Sequence, residues 1–126
     1  MRRLKTVRIG GPVYYIVSGS GPNDGSVIER DVNGVNAYYE LSDDQWFLIQ
    51  TNYDRDHPDP LHDPRRIPVE KKMHERGNKN FTVNTLMNEF MSHWPTFNIA
   101  TIMTAIMIPA DGYHNTTIWY GQNPKQ

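Results

Sequence analysis

Hydrophobic positions gather in short β-branched and aromatic runs through the first 51 residues, then fall at helical spacing. Val13-Tyr14-Tyr15-Ile16-Val17 favours a strand. The turn-forming run Ser18 to Gly25 follows, and Ser26 to Arg30 predicts a second strand. Asn33-Gly34 tolerates the positive φ of a type I′ hairpin turn and leads into a third strand, Val35 to Glu40. Gln45 to Thr51, with Trp46, Phe47, Leu48 and Ile49, completes an expected antiparallel meander over 12–51.

Asn52 to Asp63 is rich in Asp, Asn and Pro and predicts an irregular loop. Asp63 suits the cap of a helix over about 64–76, with Pro64 at its first position and Gly77 as its stop. Thr82 suits the cap of a second, over 82–94. Its apolar residues Val83, Leu86, Met87, Phe90, Met91 and Trp94 form one face. Phe97 to Ile108 is apolar at alternating positions of both faces, which predicts a strand covered on both sides. Tyr113 to Tyr120 predicts a last strand after the Asp111-Gly112 turn. The class is α+β with antiparallel pairing. Two helices cover one sheet face well, so something else is expected to cover the other.

The chain has 126 residues and a mass of 14.6 kDa, enough for one domain's core and too little for two. Its 37% hydrophobic content is lean. A net charge of −1, from 13 Lys+Arg and 14 Asp+Glu, removes the electrostatic footprint of a nucleic-acid partner. Zero Cys excludes disulfides, thiolate zinc sites and a cysteine nucleophile carried by this chain. The basic start Met1-Arg2-Arg3-Leu4-Lys5 lacks a following apolar region and does not read as a signal peptide. The most apolar stretch, Ile99 to Ala110, has 12 residues, against the roughly 20 a membrane span needs.

Gly19-Ser20-Gly21 is no phosphate cradle, because the next glycine of that fingerprint would fall on Asp24 in a β-meander. The loop residues Asp54, Asp56, His57, Asp59, His62 and Asp63 suggest metal chemistry. An EF-hand fails because Pro58 and Asp59 stand where its fifth ligand and its glycine belong. A His/Asp transition-metal site is left, with a solvated loop as the simpler reading. No G-x-S-x-G elbow supports a serine triad, and His74, His93 and His114 read as surface or boundary residues. Two sequons, at Asn80 and Asn115, are glycosylation candidates; the plain alternative is a helix cap at Thr82 and a strand-edge pair, Thr116 and Thr117.

The most pointed constellation is Thr51-Asn52-Tyr53-Asp54 at the end of an apolar run, with Arg65-Arg66 following 13 residues after Asn52. An Asn amide is the kind of neutral donor that holds a developing oxyanion, and a nearby Arg can orient a carbonyl. From the residues alone a turn Asn and a surface Arg pair is the favoured reading, there being no nucleophile in the chain to serve.

These segments resemble the acid ceramidase and N-acylethanolamine-hydrolysing acid amidase family, in the cholylglycine-hydrolase branch of the N-terminal-nucleophile hydrolases. The resemblance rests on Tyr14 to Gly19, Gly25 to Asp31, Gln50-Thr51-Asn52-Tyr53-Asp54-Arg55 and Asp63-Pro64-Arg65-Arg66-Ile67-Pro68, and it continues to Tyr120. It implies the C-terminal portion of the larger (β) subunit and part of an αββα sandwich. The two subunits come from one precursor by autocleavage, and the new N-terminal Cys attacks the amide. By position, Asn52 resembles the family's oxyanion asparagine and Arg65 its active-site arginine. The family's Cys would lie upstream of Met1. Asp56, Ser18 and Pro64 depart from the family's Trp, Gly and Asp.

Residues 1–126 are therefore expected to be a single partial domain of an amidohydrolase. The whole would cleave ceramide or a related N-acyl lipid to fatty acid and amine, in a lysosomal or secreted setting and without a cofactor. The implied partners are the lipid substrate and the missing N-terminal portion with its α subunit. No nucleic acid and no transmembrane segment are expected. Gln50 and Arg55 tilt toward acid ceramidase over the ethanolamide amidase. Taken alone, the chain is expected to be catalytically silent. The rivals are a non-catalytic remnant that pairs through its bare sheet face and a small metal-dependent hydrolase using His57 and His62.

Overall fold

A computed structural model describes residues 1–120. After a short helix α1 (Arg2–Thr6), strands β1 (Val13–Ser18), β2 (Gly25–Arg30) and β3 (Val35–Glu40) form an antiparallel sheet in the order β1-β2-β3. Val13 lies opposite Arg30 and Ser18 opposite Gly25, while Ser26 faces Glu40 across the other ladder. The central strand is buried from Ser26 to Arg30, with Val27 and Ile28 at 1% and 0% exposure. Arg30 reaches back to the N-terminal segment, donating to the carbonyls of Leu4 and Val7 at 2.8 Å each. The β2–β3 turn is not type I′, since neither Asn33 nor Gly34 has a positive φ. Asp31 closes it instead: its carboxylate accepts from Asn33 N at 2.6 Å and Gly34 N at 3.1 Å.

The fourth strand of the expected meander is absent among the described residues: Gln45 to Thr51 has no ladder partner. It is held by its side chains. Phe47 joins Met73 and Phe90 in the buried core, flanked by Trp46, Ile49, Val69, Phe81 and Leu86. Trp46 meets Phe47 and Phe81 edge-on at ring distances of 5.0 and 5.2 Å.

Helix α2 (Arg66–Arg76) begins two residues after the expected Pro64. Asp63 does not cap it; Asp59 does, accepting from Arg66 N at 2.7 Å. Gly77 stops it at φ 65°, as its lack of a Cβ allows. Thr82 caps the next helix by accepting from Thr85 N at 3.1 Å. That helix, α3 (Val83–Thr85), widens at once into a π-helical stretch, Leu86–Met91, and ends there rather than at 94. The wider turn rotates later residues off the apolar face. Phe90 is buried at 3% exposure, but Trp94 stands 58% exposed.

Strands β4 (Met103–Ile108) and β5 (Tyr113–Ile118) form a separate antiparallel pair, with Met103 opposite Ile118. β4 starts later than the apolar pattern suggests because Asn98 folds the preceding residues into a turn, accepting from Ala100 N at 2.9 Å. Trp119 packs edge-on to Phe97 at 4.9 Å and donates to Thr104 Oγ1 at 3.0 Å. Coverage on both sides is not found within the described residues. Thr104 is buried, but Met103 and Met107 are 54% and 67% exposed on the opposite face. No helix among the described residues is long and apolar enough to cross a membrane.

Candidate functional site

Apolar Phe47 and Ile49 pin the segment that ends at Thr51, and the chain then turns outward. Gln50 holds that turn from inside: its Nε2 donates to the Thr51 carbonyl at 3.0 Å and the Tyr53 carbonyl at 2.9 Å, on the residues either side of Asn52. Tyr14 of β1 holds it from the sheet. Its hydroxyl donates to Asp54 Oδ1 at 2.7 Å and lies 3.5 Å from the Asn52 carbonyl. Burial, then the hydrogen bond to Asp54 and the charges of Asp54 and Glu29, push the Tyr14 phenol up to about 12.

Asn52 and Arg65 come together. Arg65 Nη2 donates to Asn52 Oδ1 at 2.6 Å and to Asp63 Oδ2 at 2.7 Å. A guanidinium only donates, so the Asn52 atom facing it is the carbonyl oxygen, and the amide NH2 is turned away from Arg65. Arg65 and Asp63 are about a quarter exposed, a half-sheltered ion pair. The Nε of Arg65 is buried without an acceptor among the described residues. Tyr53, beside Asn52, has its phenol raised by burial and then by the Asp63 charge.

Both residues open on a cleft of about 780 Å³ between this loop and the start of β4. Its polar lip is Asn52, Tyr53, His62, Asp63 and Arg65, and its opposite wall includes Met91, Trp94, Ile99 and Ile102. The arrangement therefore sets an amide and a cation at the edge of a cleft whose far wall mixes apolar side chains with Thr96, Asn98, Thr101 and Thr104. That suits a substrate with a polar carbonyl on a hydrocarbon body.

Arg66 is separated from its neighbour. It lies buried against Asp59 at 3.5 Å, the two side chains 5% and 1% exposed, and also donates to the His57 carbonyl. Asp59 accepts from Thr51 Oγ1 at 3.0 Å as well, so one carboxylate ties the residue before Asn52 to the residue after Arg65. The acidic loop does not converge. Asp54 serves Tyr14, Asp56 meets His57 at 2.6 Å in solvent, and Asp63 holds Arg65. Among the described residues, no three His, Cys, Asp or Glu side chains gather to hold a metal. Sequence reasoning missed Tyr14, Gln50 and Asp59 as the braces of the loop. Alternation along β1 put Tyr14 on one sheet face, but nothing local names Asp54 as its target.

No family model matches the chain. It is similar to the N-acylethanolamine-hydrolysing acid amidase of Rattus norvegicus, at 38% identity over 101 residues. It resembles a probable acid ceramidase of Caenorhabditis elegans at 34% over 125 residues, and the acid ceramidase of Homo sapiens at 34% over 116. These matches cover 79%, 97% and 90% of this chain. They cover 28%, 31% and 29% of the relatives, so the chain spans under a third of their length.

Proposed function

Because the chain belongs to the family of acid ceramidase and N-acylethanolamine-hydrolysing acid amidase, we propose that it forms the C-terminal part of an amidohydrolase. The whole enzyme hydrolyses the amide bond of ceramide, or alternatively of an N-acylethanolamine, to a fatty acid and an amine. Residues 1–126 are then a partial domain of an enzyme that works in a lysosomal or secreted setting, a reading supported by the resemblance to acid ceramidases. The observation that carries this reading is the Asn52–Arg65–Asp63 chain at the lip of a mainly apolar cleft.

In this reading Asn52 Nδ2–H donates to the carbonyl oxygen as it becomes an oxyanion. Arg65 acts through Asn52. Its bond to Oδ1 fixes the amide plane and keeps the NH2 turned outward, while Asp63 keeps the guanidinium from swinging away. The positive charge also favours the developing negative one in a half-sheltered site. The attacking group comes from outside this chain, which has no Cys. Asn80 and Asn115 stay candidate glycan acceptors.

A fluorogenic N-acyl amide tests the reading in two steps. The chain alone is expected to give no turnover, and turnover by it would refute the division of roles. The native protein from its source, incubated at acidic pH, is expected to release a new N-terminus beginning with Cys. Intact mass and N-terminal sequencing read this directly, and a native product with no such cysteine would overturn the enzymatic reading. The second reading, a non-catalytic chain dependent on a partner, is favoured by the bare Met103 and Met107 face of β4. It predicts an uncleaved native product.

A further inference from the structure

The loop from Asn52 to Arg65 contains no helix or strand, yet its two ends meet, since Arg65 Nη2 donates to Asn52 Oδ1 at 2.6 Å. Gln50 and Tyr14 brace the Asn52 backbone, but among the described residues neither bonds to Arg65 or Arg66. Pro64, two residues before α2 begins, has no side-chain acceptor to give the helix start. The group that reaches both ends lies in the middle of the loop. Asp59 Oδ1 accepts from Thr51 Oγ1 at 3.0 Å and faces Arg66 Nη2 at 3.5 Å, while Oδ2 accepts from Arg66 N at 2.7 Å. Thr51 and Arg66 are the chain neighbours of Asn52 and Arg65. One carboxylate therefore spans the neck of the loop, just inside the Asn52–Arg65 bond.

The bridge is sheltered from water, with the Asp59 and Arg66 side chains 1% and 5% exposed. Hydrogen bonds to a buried carboxylate are short and directional, and swinging it aside would leave the Arg66 charge unpaired, so it has one position. Arg66 also donates to the His57 carbonyl, which anchors the loop two residues before Asp59. The cleft is lined by Asn52, Asp63 and Arg65 but not by Asp59. A helix cap with a buried ion pair needs only Arg66 as its partner. The bond from Thr51 is additional to that role, and it is the one that links the cap to Asn52.

We propose that Asp59 is a positioning residue of the site. It fixes the separation of Thr51 and Arg66, and through them it holds the Asn52 amide and the Arg65 guanidinium in bonding register. The inference rests on the proposed role of Asn52 at the oxyanion. It adds a residue outside the cleft that reaches the reaction through one peptide step on each side. A displacement of about 1 Å at reacting groups costs rate steeply, so loosening the neck shows in kcat rather than in KM.

The test uses the whole native enzyme and two readouts: kcat on a fluorogenic N-acyl amide, and the Asn52–Arg65 distance in crystal structures of the variants. Thr51→Val removes only the bond across the neck and keeps the side chain's shape, Thr51→Ser keeps the hydroxyl, and Asp59→Asn loses the charge. Thr51→Val and Asp59→Asn are each expected to lower kcat about tenfold with KM changed less than about twofold, and Thr51→Ser to stay within about twofold of wild type. Both damaging variants are expected to lengthen the Asn52–Arg65 contact beyond about 3.5 Å. In an Asn52→Ala background, Thr51→Val is expected to cost nothing further, because no amide is left to position; a merely structural loss would be the same in both backgrounds. An unchanged contact in Thr51→Val, or its full tenfold loss repeated in the Asn52→Ala background, overturns the proposal. Should Asp59→Asn fail to fold, Thr51→Val decides alone. The two ideas separate cleanly. A lengthened contact in Thr51→Val with kcat untouched by Asn52→Ala sinks the oxyanion role and leaves the positioning, while a loss in Asn52→Ala with the contact unchanged in Thr51→Val does the reverse.

Discussion

Removing the Asp59 carboxylate should both destabilise the chain and loosen the site. In Asp59→Ala the Arg66 guanidinium, 5% exposed, loses its ion pair at 3.5 Å. Arg66 N loses its acceptor at 2.7 Å, and Thr51 Oγ1 loses one at 3.0 Å. Leaving one member of a buried ion pair uncompensated costs about 3–5 kcal/mol. Arg66 keeps its bond to the His57 carbonyl, which places the expected cost near the lower end. With a urea m-value of about 1.5 kcal/mol/M, about 3 kcal/mol moves the midpoint by about 2 M. Asp59→Asn keeps an oxygen for Arg66 N while losing the charge, so it should cost about half as much. A double variant, Asp59→Leu with Arg66→Met, should recover part of the loss because no charge is left buried. Urea titration followed by near-ultraviolet circular dichroism reads all three. A midpoint shift below about 0.5 M in Asp59→Ala, or a double variant less stable than Asp59→Ala, would refute the assignment of Asp59 as a buried anchor.

Further outcomes follow from the same geometry. Tyr14 should titrate near pH 12 by phenolate absorbance, and that transition should vanish in Tyr14→Phe. Because the folded phenol lies above its ordinary value of 10.0, its contribution to stability is complete below about pH 10 and is lost as pH rises toward 12. Thr82→Ala, losing the bond to Thr85 N at 3.1 Å, should cost about 1 kcal/mol in chemical denaturation. Phe90→Ala should cost about 3–5 kcal/mol, since Phe90 is 3% exposed in the core cluster with Phe47 and Met73. Met107→Lys, on the bare face of β4, should change the stability of the chain alone by less than about 0.5 kcal/mol.

What was legible in the sequence was local. β2 and β3 follow from β-branched and aromatic runs, the α2 stop from Gly77, and the α3 cap from Thr82. The pairing of Asn52 with Arg65 was legible as a spacing, and the structure closes it to 2.6 Å. The misreadings share a cause in contacts remote along the chain. Asp63 has the right chemistry for a cap, but Arg65 takes its carboxylate, and Asp59, seven residues before Arg66, does the capping. Asn33-Gly34 lost its type I′ turn to a neighbouring Asp31 side chain. Trp94 left the helical face when the helix widened over Leu86–Met91. The strand character of Gln45 to Thr51 was plain, but a strand needs a neighbour, and none lies among the described residues.

The central claim is that Asn52 donates to an oxyanion while Arg65 aims it. The most direct measurement is kcat of the whole native enzyme on a fluorogenic N-acyl amide for Asn52→Ala and Asn52→Asp. Both variants lack the NH2, yet Asn52→Asp keeps an acceptor for Arg65. The account predicts that both lose about 10²–10³-fold in kcat with KM little changed, and that Asn52→Asp stays as stable as the parent. Wild-type kcat in either variant, or a loss confined to KM, would contradict it.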